Sequence, residues 1–346
     1  MQTPASPAEF PALTLDAAAE SNRLSRLLHE DVLRRLRRRG VVVGCSGGVD
    51  SSVVLALCVR AFGPEKVLAV LLPESESSPE SAVLAGDWAQ ALHVETVTED
   101  ITGALEHAGC YRRRDEAIRR VFREFGSGWK SKITLPGSLL DEDTLNVFYL
   151  TVVSPEGEER RQRIPSAEYA QIVAASNFKQ RTRMAMLYYH AERRGYAVVG
   201  TANKDEHDLG FFVKHGDGGV DIAPILHLFK TQVYRLAEHL GVPEDIRSRR
   251  PTSDTYSAGS TQEEFFYRLP FDVLDVIWAG MEHGMSPAEV APWLGLGADQ
   301  VDRVMRDIVQ KRRTTDYLRT PPIVYDGQTR RRETSNSTSD GEDRSR

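Results

Sequence analysis

The sequence predicts an α/β protein: a doubly wound parallel sheet flanked by helices, with an inserted hairpin-containing subdomain and a helical C-terminal part. Three observations carry this expectation. The β-branched run Val41-Val42-Val43 enters the turn Gly44-Cys45-Ser46-Gly47-Gly48-Val49-Asp50-Ser51, and an apolar helical stretch over residues 53–59 leaves it. Strand-like and helix-like segments alternate with short links as far as residue 97, which is the pattern of a parallel sheet with crossover helices. Residues 103–168 interrupt the alternation, which resumes after them.

Composition narrows the function classes. The chain has 346 residues, 40% hydrophobic and 27% charged, with a formal net charge of −6. That balance gives no global attraction to nucleic acid or to an anionic membrane. No apolar run is long enough to span a bilayer and no basic-then-apolar signal opens the chain, so a cytoplasmic location is expected. Cys45, Cys58 and Cys110 are too few and too scattered for a disulfide framework or a zinc site.

In order along the chain, residues 1–12 are rich in Pro and Ala and are expected to be loose. Residues 13–326 form the main domain. Leu24, Leu27, Leu28, Val32 and Leu36 recur at helical spacing over residues 13–39, and five arginines complement the helix dipole before Gly40. After the opening strand and helix come a strand at 66–72, a Ser/Glu-rich loop at 73–81, a helix at 81–92 and a short strand at 94–97. Within the insertion, residues 111–125 read as a basic amphipathic helix. Residues 145–153 and 159–164 read as strands joined by the turn Ser154-Pro155-Glu156-Gly157. The insertion is a candidate lid whose Arg112, Arg113, Arg114, Arg119, Arg120 and Arg123 would cover an anionic substrate or face solvent. A long helix over 167–194 leads to a fourth strand at 196–199, and a further helix spans 230–240. The C-terminal part, 262–318, is helical on either side of Pro270. Residues 286–311 outline a helix-turn-helix, but Asp299, Asp302 and Asp307 make its second helix a poor face for phosphates, so packing is the expected role. Residues 327–346 lack apolar content and are expected to be disordered.

The Ser-Gly-Gly turn is the centre of the chemistry. A strand that runs through glycines into a helix N-terminus cradles anions, because the backbone can approach a phosphate and the first-turn N–H groups favour negative charge. No lysine follows the glycines and the spacing is not Gly-x-Gly-x-x-Gly, so neither common nucleotide fingerprint applies. Serines at both ends and one acid inside suit a pyrophosphate with its metal, Asp50 being the expected Mg²⁺ ligand. Thr201 and Glu206 follow the fourth strand on the same sheet edge, where Glu206 can share that metal.

The turn resembles the pyrophosphate loop of the N-type ATP pyrophosphatases (the PP-loop superfamily). The resemblance sharpens with Asn177-x-x-x-Arg181-x-Arg183-Met184, Gly200-Thr201-x-Asn203-Lys204-x-Glu206, and Gly210-Phe211-Phe212-x-Lys214-His215-Gly216-Asp217-Gly218. With Asp221-x-x-Pro224, Leu228-x-Lys230 and Pro251-Thr252-x-Asp254, these blocks are similar to NAD synthase. Glutamine-using members carry a glutaminase domain ahead of the synthase; residues 1–39 cannot hold one, so the ammonia-dependent form is expected. The resemblance implies an adenine-nucleotide α-hydrolase-like, Rossmann-like fold and a ligase forming a C–N bond. That ligase would amidate the nicotinate carboxylate of deamido-NAD with ammonia through an acyl adenylate, giving NAD, AMP and pyrophosphate. It also implies roles. Gly44, Cys45, Ser46, Gly47, Gly48, Val49, Asp50, Ser51, Thr201, Lys230 and Thr252 would contact ATP. Asp50 and Glu206 would hold Mg²⁺, and Asp50, Lys230 and Thr252 would be catalytic. Arg181, Lys214, Asp221 and Lys311 would contact deamido-NAD. A homodimer is implied, with a separate glutaminase as a conceivable ammonia source.

The compact bacterial members lack anything as long as the 103–168 insertion, and two further stretches depart from their pattern. Gly259-Ser260-Thr261-Gln262-Glu263-Glu264-Phe265-Phe266 stands where a Gly-Gln-Thr-Asp-Glu run is usual, and Gln310-Lys311-Arg312-Arg313 keeps only Lys311 of the closing His-Lys. They leave open a paralogous ligase that adenylates a different carboxylate, or a nucleotide-binding regulator.

Overall fold

The computed structural model of the chain describes residues 10–135, 137–141, 147–251, 256–259 and 261–325. A 3-10 turn at Pro11–Leu13 precedes α1 (Ala17–Glu30), whose first turn is capped by the Asp16 carboxylate accepting from the Ala19 N–H at 2.9 Å. A π turn at Asp31–Arg35 then leads to β1 (Val41–Gly44) and α2 (Val49–Phe62). Next come β2 (Val67–Leu71), α3 (Pro79–Ala91), β3 (Glu95–Thr98), α4 (Thr102–His107) and α5 (Cys110–Val121). Three strands follow, β4 (Lys130–Thr134), β5 (Tyr149–Val153) and β6 (Glu159–Arg163), and then the long helix α6 (Ser166–Arg194). The chain returns to the main sheet with β7 (Ala197–Val199), followed by α7 (Lys204–Leu209), α8 (Lys230–His239) and α9 (Glu244–Arg247). A π turn at Glu263–Tyr267 introduces α10 (Phe271–Glu282), α11 (Pro287–Leu294), α12 (Ala298–Thr314) and α13 (Asp316–Arg319).

The main sheet has the order β3-β2-β1-β7, and all its pairings are parallel. Its central strands read as unbroken apolar runs because both faces are covered. Val41, Val43, Val67, Ala69, Ala197 and Val199 point to the side packed by α1, α2, α3 and α8. Val42, Leu68, Val70 and Val198 point to the other, where Met184, Leu187 and Ala191 of α6 cover them. The strands' carboxyl ends therefore form one edge, with the β1–α2 and β7–α7 connections side by side on it. Ligands of open α/β sheets bind at such an edge.

The inserted segment is a second, antiparallel sheet of order β4-β5-β6. The hairpin β5–β6 is the expected one. Strand β4 is not among the expected elements: Lys-Ser-Lys-Ile-Thr alternates too weakly in hydropathy to announce itself. One face of this sheet buries Ile133, Leu150 and Val152 against Ala117 and Ile118 of α5 and Ile172 of α6.

Of the two roles expected for the insertion's arginines, facing solvent fits: Arg112, Arg113, Arg119, Arg120 and Arg123 are exposed, and Arg114 is buried. Arg114 pairs with Glu76 and Asp115, Arg112 with Glu116, and Arg120 with Glu168. Arg113 donates to the Ala108 carbonyl and Arg119 to that of Phe125. These five, Arg114 among them, are held by protein acceptors and do not form an open anion cover.

The N-terminal stretch differs from expectation. Phe10 is only 2% exposed and meets the Trp293 ring edge-on at 5.1 Å, so residues 10–12 are pinned to the C-terminal helices. The second helix of the expected helix-turn-helix, α12, buries Val301, Val304, Met305 and Ile308 in that same core, as a packing element does. The expected disordered tail lies outside the described residues, as do residues 1–9.

Candidate active site

The β1–α2 turn is built as an anion cradle. The Cys45 N–H extends the sheet to the Val70 carbonyl at 2.9 Å, and the chain then leaves the ladder. Gly47 adopts φ +75°, and a Cβ there would lie 2.4 Å from the Ser81 carbonyl oxygen, so both conformation and space require glycine. The Ser46 and Ser51 hydroxyls lie 3.2 Å apart across the turn, and the Ser46 oxygen accepts from the Gly48 N–H at 3.3 Å. Ser51 and Ser52 donate to the Gly48 carbonyl at 3.0 and 2.9 Å, and Asp50 lies in this first turn of α2. Burial pushes the Cys45 thiol up to about 12, so it is not a nucleophile.

Asp50 meets the β7–α7 connection and the start of α8. Its carboxylate forms an ion pair with the Lys230 ammonium, which is fully buried, and accepts from the Asn203 amide at 2.9 Å. Asn203 is the N-cap of α7: its side-chain oxygen accepts from the Glu206 N–H at 3.0 Å, and the Glu206 carboxylate accepts from the Asn203 N–H at 3.2 Å. The same side chain thus caps the helix and links Asp50 to Glu206. Gln262 donates to the other Glu206 oxygen at 3.3 Å.

Burial, and after it the Asp50 charge, pushes Glu206 up to about 8. Burial opposes the Lys230 ammonium, but the Asp50 and Glu206 charges outweigh it and hold Lys230 above its ordinary value. Two acids therefore compete for one lysine. Beneath them the start of α8 is fixed by two more buried acids: Asp205 accepts from the Lys230 N–H at 2.9 Å, and Asp275 accepts from the Thr231 N–H and hydroxyl at 2.8 and 2.7 Å.

The structure thus brings together Gly44 to Ser51, Glu206 and Lys230, with Thr201 half-buried on the same edge. Asn203, Gln262, Asp205 and Asp275 join them without having been assigned a site role from the sequence. The Asn-x-x-Glu spacing of a capping box was the available signal for Asn203; nothing local marks the other three. Thr252 lies outside the described residues.

The remaining four candidates are engaged elsewhere. Arg181 donates to the Lys214 carbonyl at 3.2 Å, and the Lys214 ammonium donates to the Tyr317 and Thr320 carbonyls at 2.9 and 2.6 Å. Asp221 accepts from the Val198 N–H at 2.8 Å and the Tyr188 hydroxyl at 3.0 Å, which pins β7 and fills the acceptor role expected for a ligand. Lys311 pairs with Asp307 at 2.7 Å and donates to the Phe266 carbonyl at 2.9 Å, and burial lowers its basicity. Among the described residues no group of three or more His, Cys, Asp or Glu side chains could hold a metal ion by itself.

Comparison with known proteins identifies the family. The model of one family, described as NAD synthase, matches residues 20–120 and 153–322, and its break falls inside the insertion. The chain is 50% identical over 312 residues to an NH(3)-dependent NAD(+) synthetase of Mesorhizobium japonicum, covering 90% of this chain and 98% of that one. It is 37% identical over 288 residues to an NH(3)-dependent NAD(+) synthetase of Thermotoga maritima, covering 83% and 93%. Among solved structures, an NH3-dependent NAD synthetase from Campylobacter jejuni in complex with the nitrate ion superposes with a TM-score of 0.57 at 19% identity, covering 90% of this chain and all of that one (100%). The NMN synthetase of Francisella tularensis superposes with a TM-score of 0.56 at 21% identity, with the same coverage of 90% and 100%. At these identities the two superpositions speak for the fold alone.

Proposed function

Because the chain belongs to the NAD synthase family, we propose that it is a ligase that amidates deamido-NAD with ammonia, using ATP and releasing AMP and pyrophosphate. The observation that carries this reading is the joining of Asp50, Lys230, Asn203 and Glu206 at the carboxyl edge of the sheet, beside the Ser46-Gly47-Gly48 cradle.

In this reading the Ser46 and Ser51 hydroxyls and the α2 N–H groups hold the β and γ phosphates of ATP. Thr201 and Thr252 contact the same nucleotide. Lys230, fixed by Asp205 beneath it, presents its ammonium to charge growing at the transferring phosphate. The nicotinate carboxylate attacks the α-phosphorus and the α–β bridge breaks, giving an acyl adenylate and pyrophosphate. Ammonia then adds to the acyl carbon, loses a proton and expels AMP. Little covalent help is required; alignment and exclusion of water are the protein's contribution. Cys45 and Val49 serve as packing for the loop.

Magnesium fits the Asp50–Glu206 pair. Both are hard oxygen donors, a metal cation can take the place of the proton that burial and the Asp50 charge favour on Glu206, and Mg²⁺ takes one or two carboxylates while water and substrate phosphates complete its shell. When bound it would neutralise charge on the departing pyrophosphate. We assign Arg181, Lys214 and Lys311 to the deamido-NAD side, with Asp221 bracing β7. We also propose a homodimer in the cytoplasm, supplied with free ammonia or by a separate glutaminase.

Purified protein with ATP, Mg²⁺, ammonium and deamido-NAD is expected to form NAD and AMP in equal amounts. ATP cleavage that requires a different carboxylic acid, with no NAD formed from deamido-NAD, would overturn the assignment of substrate.

A further inference from the structure

A cavity of about 440 Å³ lies between the inserted sheet and the turn that precedes α10, lined by Lys132, Thr134, Thr151, Glu159, Arg161, Glu263, Arg268 and Pro270 among others. Its sheet wall is one register row. Lys132 pairs with Thr151, and Thr151 with Arg161, so the three side chains share the face opposite the apolar one that packs on α5 and α6. Thr151 is buried in the middle of the row, with a cation on either side. Among the described residues neither Lys132 nor Arg161 has an ion-pair partner; the Arg161 guanidinium lies over the Tyr149 ring at 4.3 Å. From the opposite wall comes Arg268, only 4% exposed, which donates to the Gly137 carbonyl at 3.3 Å; burial disfavours its charge and the Asp307 carboxylate favours it. Glu159 and Glu263 also face the cavity, so three cations meet two acids there. Cations gathered around a polar cavity are held at a cost that an anion relieves.

The cavity's position says which anion. The turn forming its wall touches the ATP-side cluster at both ends: Gln262 donates to Glu206, and the Phe271 ring lies 5.6 Å from the Lys230 ammonium. The phosphates of ATP have their own cradle at Ser46-Gly47-Gly48. A second substrate that presents a carboxylate to ATP must extend away from it, and this cavity lies one turn distant. We propose that Lys132 and Arg161 of the inserted sheet, with Arg268 opposite, bind the phosphate-bearing part of the acidic pyridine dinucleotide. The inference rests on the family reading for the substrate, and it assigns the insertion a specificity role beyond covering the site.

The test is the double variant K132A/R161A, with K132R/R161K as the charge-preserving control. Both positions are on a partly exposed sheet face, and far-UV circular dichroism and the melting temperature verify folding. In steady-state assays K132A/R161A is expected to raise KM for deamido-NAD by about tenfold or more, with KM for ATP within about twofold, while K132R/R161K stays near wild type. An unchanged KM for deamido-NAD, or equal rises for both substrates, overturns the proposal. If wild-type protein makes no NAD, the family reading of the substrate fails first. Calorimetric titration with deamido-NAD then decides the cavity separately: binding weakened about tenfold in K132A/R161A supports it, and equal or absent binding overturns it.

Discussion

Lys230 is the residue on which two acids converge, and its substitution should act on chemistry and stability together. Lys230→Met leaves Asp50 and Glu206 buried without their cation, a change expected to lower stability by about 3–5 kcal/mol. It should also reduce kcat by about 10²-fold or more, as removal of a preorganised charge does; urea unfolding and a steady-state assay measure the two effects. A second prediction concerns the buried Asp205–Asp275 pair, whose Oδ1 atoms have no partner unless one proton is shared between them. Burial pushes Asp275 up to about 6, so between the unfolded value near ~4 and that pH the folded protein holds a proton the unfolded chain has released. Unfolding free energy must therefore fall as pH rises through that window. Asp275→Asn, which offers its amide to Asp205 permanently, should flatten this slope and match or exceed wild-type stability at pH ~8 in denaturant titrations. Asp50 and Glu206 were legible in the sequence because each sits in a spaced motif just past a strand's end, and Lys230 through the resemblance of Leu228-x-Lys230 to the family pattern. Asp275 was not, because its meaning comes from a helix far away in sequence.

At the scale of elements, the insertion is fastened to the nucleotide edge by a buried charge cluster. Lys179 on α6 donates to Glu74 at 3.0 Å and also pairs with Glu76, which in turn pairs with Arg114 on α5. The Tyr111 hydroxyl donates to Glu74 at 2.6 Å. Burial opposes charge on Glu76, yet Lys179 and Arg114 together hold its carboxyl below the usual range, so Glu76 stays ionised at neutral pH. The segment it holds runs on to Ser81, whose carbonyl backs Gly47. Lys179→Met is expected to cost about 3–5 kcal/mol, more than a surface ion pair (~0.5 kcal/mol), measured as a fall in the denaturant midpoint. A fall of the surface-pair size would show that the cluster is hydrated. Reading elements from sequence succeeded where hydropathy carried them, at β1, β2, β5 and β7, and at β6 through the turn Ser154-Pro155-Glu156-Gly157. It missed β4, which contributes one large apolar side chain, Ile133, to the core under the inserted sheet. It also took the stretch around Phe10 as loose, because composition does not show that one aromatic has a ring to meet at the far end of the chain.

Across the whole molecule two cores meet at the site. The main sheet's core includes Val233 and Leu236 of α8, while Phe229, at the start of the same helix, belongs to the core of the C-terminal helices. Lys230 sits between them, with its ammonium near the Phe271 ring and its N–H on Asp205. The chain's beginning joins the second core through Phe10 and Leu13, beside Val301, Val304 and Ile308 of α12. Strand alternation made the first core readable; the second depends on contacts between residue 10 and residues beyond 270, which no local pattern encodes. This arrangement predicts one cooperative thermal transition. ATP with Mg²⁺ bridging the loop on α2 and the acids of α7 should raise it as a unit, since a ligand at about 100 times its Kd adds about 2.7 kcal/mol to the native state. For a chain of this size that corresponds to a rise of roughly 3–6 °C, and differential scanning calorimetry reads it directly. Removing the metal with EDTA should cancel most of the rise, because Asp50 and Glu206 would then face the phosphates without a cation between them. Asp50→Asn should weaken the metal-dependent part while leaving the unliganded transition single. Two separate transitions in the unliganded protein, or a rise from ATP that EDTA leaves intact, would show respectively that α8 does not couple the cores and that these two acids do not hold the metal.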